Sequence, residues 1–115
     1  MSPSASIGDG TVVLAGAVIG PSARIGRSSI VNHAASVDHD CTVGDYVNIC
    51  PGARLAGAVH VEEGTFIGLN AAILQGLHIG HDAVIGAGAV VIANVDAGRT
   101  VVGNPARQII STMKR

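Results

Sequence analysis

The sequence has no tryptophan, and Tyr46 and Phe66 are its only aromatic residues in a chain of 115. Wide globular cores use aromatic side chains to fill the space between layers. A chain that is 48% hydrophobic but 2% aromatic must build a narrow core from Val, Ile, Leu and Ala. Cysteine is scarce as well. Cys41 and Cys50 are too few for a disulfide framework, and reduced, partly buried thiols are the reading that fits them. Charge is also low, with 13% charged residues and a formal net charge of −1. That gives no global field for nucleic acid or an anionic membrane. No apolar run approaches the ~20 residues of a membrane span, and no basic start followed by an apolar stretch marks a secretory signal. A cytoplasmic location is the expectation. Glycine, by contrast, is abundant, with 16 residues, which argues for many turns and against a mainly helical chain.

The chain has an internal period of six. Ile7, Val13, Ile19, Ile25, Val31, Val37, Val43, Ile49, Leu55, Val61, Ile67, Ile73, Ile79, Ile85 and Val91 follow one another without an insertion. A second column, four residues after each of these, is small or apolar: it includes Ala17, Ala23, Ala35, Cys41, Val47, Ala53, Ala71 and Val95. Six fits neither a 3.6-residue helix nor an alternating strand. It fits short strands joined by tight corners, with the aliphatic residue of each unit turned inward. Three units close one triangular coil, and coils stack at the strand spacing of about 4.8 Å. The chain resembles the hexapeptide-repeat left-handed β-helix, with about five coils. The handedness comes from that resemblance.

The repeat is predicted to occupy residues 1–105. Gly98, Gly103 and Pro105 then mark its end, and residues 106–115 are expected to form a short helical tail. Met1 already sits in the aliphatic slot that precedes Ile7. An uncapped solenoid end exposes a strand edge, so a preceding segment is expected to have been removed or to be supplied elsewhere.

Among the five histidines, His39 stands out, because an isolated surface histidine is ordinarily inert. Asp38 and Asp40 flank it, and carboxylates there can orient the imidazole and raise its basicity. Gly57 stands one coil further on. A side chain at that point would crowd the ring, whereas glycine leaves room for a substrate and brings a backbone N–H within reach. Cys41 falls in an inward slot and is disfavoured as a nucleophile.

The stretch from Val31 to Ala53, with Asp38-His39-Asp40-Cys41 at its centre, resembles the bacterial sugar acetyltransferases of the sialic acid O-acetyltransferase type. These include the N-acetyltransferases acting on UDP-4-amino sugars. Leu55-Ala56-Gly57, Gly68-Leu69-Asn70, Gly86-Ala87-Gly88 and Gly103-Asn104-Pro105-Ala106 continue the likeness over nearly the whole chain. The resemblance implies acetyl-CoA as donor, no metal, and a nucleotide-linked amino sugar as acceptor. It makes His39 the general base, Asp40 the residue that strengthens it, and Gly57 the N–H donor facing the thioester carbonyl. It makes Asn48, Gly57, Leu69 and Ala87 coenzyme A contacts, and sets Asn32 with His39 near the acceptor. Asn48 departs from the family, where histidine is frequent, and His33 stands where a small polar residue is usual. Relatives also carry an N-terminal βαβ domain that holds the nucleotide sugar, which this chain lacks.

On this reading the cofactor lies along the prism. His39 and Ala87 are 48 residues apart, about 2.7 coils or ~13 Å of axial rise, which is the reach of a pantetheine arm. Arg99, Arg107, Lys114 and Arg115 near the C-terminus would meet phosphates, or else form a solvated basic tail. A homotrimer is expected, with apolar outward residues such as Leu14, Leu69, Leu74 and Ile92 packing between prisms. Transfer to a hydroxyl of sialic acid, serine or another small acceptor is the alternative within the fold. A non-catalytic trimeric scaffold is the alternative outside it. A γ-class carbonic anhydrase is disfavoured, because Gly86 stands where the second histidine of its zinc motif should follow Gly80-His81.

Overall fold

The computed structural model describes residues 1–109. Its strands are two residues long almost throughout and recur every six, giving three sheets that run the length of a prism. The first sheet holds Ser6–Ile7, Arg24–Ile25, Thr42–Val43, His60–Val61 and His78–Ile79. The second holds Val12–Val13, Ile30–Val31, Asn48–Ile49, Phe66–Ile67, Val84–Ile85 and Thr100–Val102. The third holds Val18–Ile19, Ser36–Val37, Arg54–Leu55, Ala72–Ile73 and Val90–Val91. Neighbours among these strands are parallel, and Ile7 pairs with Ile25 as Ile25 pairs with Val43. The fold is a left-handed parallel β-helix of about five coils. No helix occurs among the described residues, and none there is long and apolar enough to cross a membrane.

Two columns make the core. From Ile19 to Val91 the aliphatic column is buried, and the small column beside it is buried at Ala23, Ala35, Cys41, Val47, Ala53, Val59, Ala71, Ala83 and Ala89, with Leu77 partly buried. Near the N-terminal end the aliphatic column is less covered: Ile7 is half-buried, and Met1 and Val13 are exposed. Polar residues in the small column bond corner carbonyls instead of disturbing the core. Thr65 Oγ1 donates to the Gly80 carbonyl at 2.8 Å, Ser29 Oγ to that of Gly44 at 3.0 Å, and Cys41 Sγ to that of Ala56 at 3.1 Å. Cys41 is thus a packing residue, and burial pushes its thiol pKa up.

The corners are tight turns whose last residue has positive φ. Glycine serves at several, such as Gly52 and Gly88, while Asp40, Asn70 and Asp82 adopt the left-handed region at φ of 61°, 55° and 55°. Asp and Asn tolerate it better than most residues.

Two expectations need correction near the C-terminus. The last coil is shorter than the rest: Ile79 bridges Val95 and Ile85 pairs with Val101, each a separation of 16. Val95 therefore fills an aliphatic slot and not the small slot that strict counting gives it. The side chain of Asn94 accepts the His78 N–H at 2.8 Å and tightens that corner. The predicted helical tail is also not seen where the structure describes it. Arg107–Gln108 is a strand, antiparallel to Thr100–Val102, with Val101 opposite Gln108. It covers the edge of the second sheet, and pairing an edge satisfies backbone groups that a helix starting at Ala106 would leave open. The rest of the tail, residues 110–115, lies outside the described residues.

Candidate active site

The corner between the third and first sheets carries His39 and Asp40. Asp38 ends the approach to the turn, and its Oδ1 accepts the His39 N–H at 2.7 Å. Its carboxylate is thereby engaged by the turn's own backbone. Asp40 holds the ring, with its Oδ2 3.0 Å from His39 Nδ1. A carboxylate there fixes the proton on Nδ1 and leaves Nε2 with its lone pair. The hydrogen bond from Asp40 is the largest influence on the imidazole. With the charges of Asp38 and Asp40 it outweighs partial desolvation and raises the His39 pKa above 6.5.

Gly57 lies one coil away, as the neighbouring Ala58 N–H donates to the His39 carbonyl at 2.9 Å. A Cβ on Gly57 would overlap Nε2 and Cε1 of His39. The Nε2 side of the imidazole therefore lies against this glycine, which is buried. The Gly57 N–H meets no acceptor among the described residues. Buried backbone donors are nearly always paired, so an unpaired one beside a candidate base is a place for a ligand oxygen.

The remaining candidate residues are elsewhere on the chain. Leu69 and Ala87 occupy the corner between the second and third sheets, on successive coils, both exposed, and neither N–H has an acceptor among the described residues. Asn32 approaches the same corner, and its Oδ1 accepts the His33 N–H at 2.9 Å. Asn48 is half-buried on the outer face of the second sheet, with Cys50 Sγ 3.9 Å from its Oδ1. One chain thus brings His39, Asp40 and Gly57 together and holds Asn32, Asn48, Leu69 and Ala87 apart from them.

Sequence reasoning gave little weight to His81. It forms a second His-Asp pair, with Nδ1 3.1 Å from Asp82 Oδ2, and its pKa is raised by that hydrogen bond. The adjacency of histidine and aspartate was the available clue. The Gly98 N–H donates to the His81 carbonyl at 2.9 Å, so Ala97 stands where Gly57 stands for His39. The groove beside His81, about 620 Å³, includes Asp45, His60, Glu62 and Glu63 in its lining. Its polar groups engage one another. The rings of His60 and His78 stack at 4.7 Å, His78 Nε2 bonds Glu62, and Glu62 Oε1 accepts the His81 N–H at 3.2 Å. That bond from His78 lowers the Glu62 pKa. Among the described residues no three such groups are placed to hold a metal ion.

Comparison with known proteins bears on the fold and the family. Residues 58–93 match the family model described as the hexapeptide repeat of succinyl-transferase. GDP-perosamine N-acetyltransferase of Escherichia coli O157:H7 is 43% identical over 119 residues, covering 93% of this chain and 53% of that protein. The acetyltransferase domain of PglB from Neisseria gonorrhoeae FA1090, solved with acetyl coenzyme A, is 44% identical with a TM-score of 0.91, covering 94% of this chain and 53% of its own. PerB from Caulobacter crescentus, solved with CoA and GDP-perosamine, is 39% identical with a TM-score of 0.93, covering 94% and 52%. The chain spans about half the length of each of these relatives. It belongs to the hexapeptide-repeat acetyltransferase family.

Proposed function

We propose that this chain is the catalytic part of an acetyl-CoA-dependent N-acetyltransferase whose acceptor is the amine of a nucleotide-linked amino sugar. Donor and acceptor class follow the relatives, whose names and solved complexes carry acetyl-CoA, CoA and GDP-perosamine. The observation that carries the chemistry is the imidazole of His39, held by Asp40 over the unpaired N–H of Gly57.

His39 Nε2 takes a proton from the acceptor amine as its nitrogen attacks the thioester carbon. The Gly57 N–H donates to the acetyl oxygen while that oxygen carries the developing negative charge. The carbon–sulfur bond then breaks, and the imidazolium of His39 returns its proton to the departing sulfur. Asp40 stabilises the imidazolium between these steps, and no covalent enzyme intermediate is needed. Leu69 and Ala87, with free turn N–H groups, would receive the donor's amide carbonyls; Asn48 and Asn32 would contact the thioester end and the sugar. These four reach the His39 corner only from a neighbouring copy, so the proposal includes a homotrimer with sites between prisms.

His39→Ala in the full-length enzyme tests this. A positioned base is worth about 10²–10⁴-fold. Turnover should drop at least a hundredfold, with coenzyme A affinity and assembly kept. Near-normal turnover would move the site away from this corner.

A further inference from the structure

The corner between the second and third sheets carries one residue per coil in a single column: Ala15, His33, Pro51, Leu69 and Ala87. Backbone hydrogen bonds fix the stacking. The Gly52 N–H donates to the His33 carbonyl at 3.0 Å, the Asn70 N–H to that of Pro51 at 3.1 Å, and the Gly88 N–H to that of Leu69 at 2.7 Å. The column changes character along its length. Leu69 and Ala87 offer N–H groups with no acceptor among the described residues. Pro51 has no N–H to offer. His33 has one, but Asn32 Oδ1 accepts it at 2.9 Å. What His33 presents to the column is an exposed imidazole.

This order matches the donor arm. Successive coils are about 4.8 Å apart, and an extended chain gains about 1.2 Å per bond. The two amide carbonyl carbons of pantetheine are four bonds apart, about 5 Å on that scale, so Ala87 and Leu69 can receive one each. The sulfur lies four bonds beyond the carbonyl at Leu69, about 5 Å. That is the level of Pro51, where the methylenes and sulfur leave no N–H without a partner. The thioester carbon then falls about 6 Å past Leu69, and the acetyl methyl about 7 Å. His33 stands two coils past Leu69, about 10 Å. An acetyl group ends short of the imidazole. The terminal carbon of a butyryl group, eight bonds from the same carbonyl, reaches about 10 Å and meets it.

The height of the base agrees. Exposed Ile30, Phe66 and Val84 form one apolar row along the prism, so copies packed on that row lie side by side. A ring of such copies about an axis along the prisms holds equal residue numbers at equal heights. His39 of a neighbouring copy is 30 residues before Leu69, about 8 Å of axial rise, which is the level of the acyl group.

We propose that His33 is the stop at the acyl end of the donor track, and that it restricts transfer to acetyl by excluding longer acyl chains. The inference rests on the donor proposed above and adds what sets the length of the transferred group.

Calorimetry of the full chain with acetyl-CoA and, separately, butyryl-CoA reads the stop without an acceptor. The wild type should bind acetyl-CoA at least about tenfold more tightly, the lower end of what an added methylene costs in a fitted pocket. His33→Ser should erase most of that difference by admitting the longer chain. His33→Phe, a ring of similar width without nitrogen, should keep it, and loss of the preference there would overturn a steric stop. His81→Ser, at another corner, should leave the preference as it is. Equal affinities in the wild type, or an unaltered preference in His33→Ser, would also overturn the assignment. In turnover of the full-length enzyme with a nucleotide-linked amino sugar, His33→Ser should raise the butyryl-to-acetyl ratio of kcat/KM at least about tenfold. A chain with the expected affinities that transfers no acyl group to a sugar amine would sink the proposed function and leave the stop standing. An active enzyme whose His33→Ser variant keeps the wild-type ratio would sink the stop alone, and binding of neither acyl-CoA would sink both.

Discussion

At the scale of single residues, the site is one imidazole between a carboxylate and a glycine, and each neighbour makes a separate prediction. Asp40 stabilises protonated His39, so the pKa of the proposed base lies above 6.5. A general base acts only when neutral. The acid limb of kcat/KM should therefore fall through a pKa above 6.5, and Asp40→Asn should move that limb to lower pH. The same variant should lower the plateau rate by less than His39→Ala does, because a weaker base is still a base. A pH profile of the two enzymes checks this, and an unmoved limb would mean that Asp40 does not tune the base. Gly57 is a different case. Its φ lies outside the left-handed region, so alanine fits the backbone, and what its Cβ meets is the movable end of His39. Gly57→Ala should push the ring aside, with turnover reduced at least about tenfold and thermal stability nearly kept.

At the scale of the strand and its corner, glycine acts on stability instead. A Cβ on Gly68 would lie 2.6 Å from the Ile85 carbonyl oxygen and 2.7 Å from the Ala87 nitrogen, all backbone. Neither atom can swing away. Gly68→Ala should strain the stacking of two coils and cost about 1–3 kcal/mol, the usual cost of overpacking. Thermal unfolding of Gly68→Ala beside Gly57→Ala would separate the two kinds of glycine, and equal stability would show that the coils can part there. The period of six made nearly all of this visible in the sequence, because every corner returns the chain to the same phase and an aliphatic residue can mark it. Where the phase slips, the sequence is silent. The last coil loses two residues at Asn94, whose side chain tightens the corner, so Val95 was counted into the wrong column. Arg107–Gln108 has no repeat to announce it and is a strand only because an open edge lies beside it. Of the candidate site, His39, Asp40 and Gly57 could be read together because a separation of 18 means the same corner. Ala87 is 48 residues from His39, which gives a modest axial rise but also a different corner.

At the scale of the whole molecule, the faces of the prism differ. The first sheet presents Ser6, Arg24, Thr42, His60 and His78, and the second presents the exposed Val12, Ile30, Phe66 and Val84. The residues expected to pack between prisms sit at corners: Leu14 and Leu69 between the second and third sheets, Leu74 and Ile92 between the third and first. The row through Ile30 and Phe66 is thus the flat apolar surface, and Asn48 lies between those two in the register. Packing this row against a second copy would hide it from water and carry Asn48 and the Leu69–Ala87 corner toward another chain's His39. Light scattering should then give three times the 11.4 kDa of the chain, and Phe66→Glu should shift it toward one. A sharper consequence follows if His39 and Ala87 of each site come from different chains. His39→Ala and Ala87→Trp should each abolish most turnover as pure proteins. Mixed by refolding together, they form trimers in which some interfaces pair the intact His39 of one variant with the intact Ala87 of the other. Those interfaces are whole, so activity should reappear in the mixture, up to roughly a quarter of the wild-type rate for random assembly. If His39 and Ala87 served one site from the same chain, no mixed trimer would hold an intact site. The mixture would then stay as inactive as its parts.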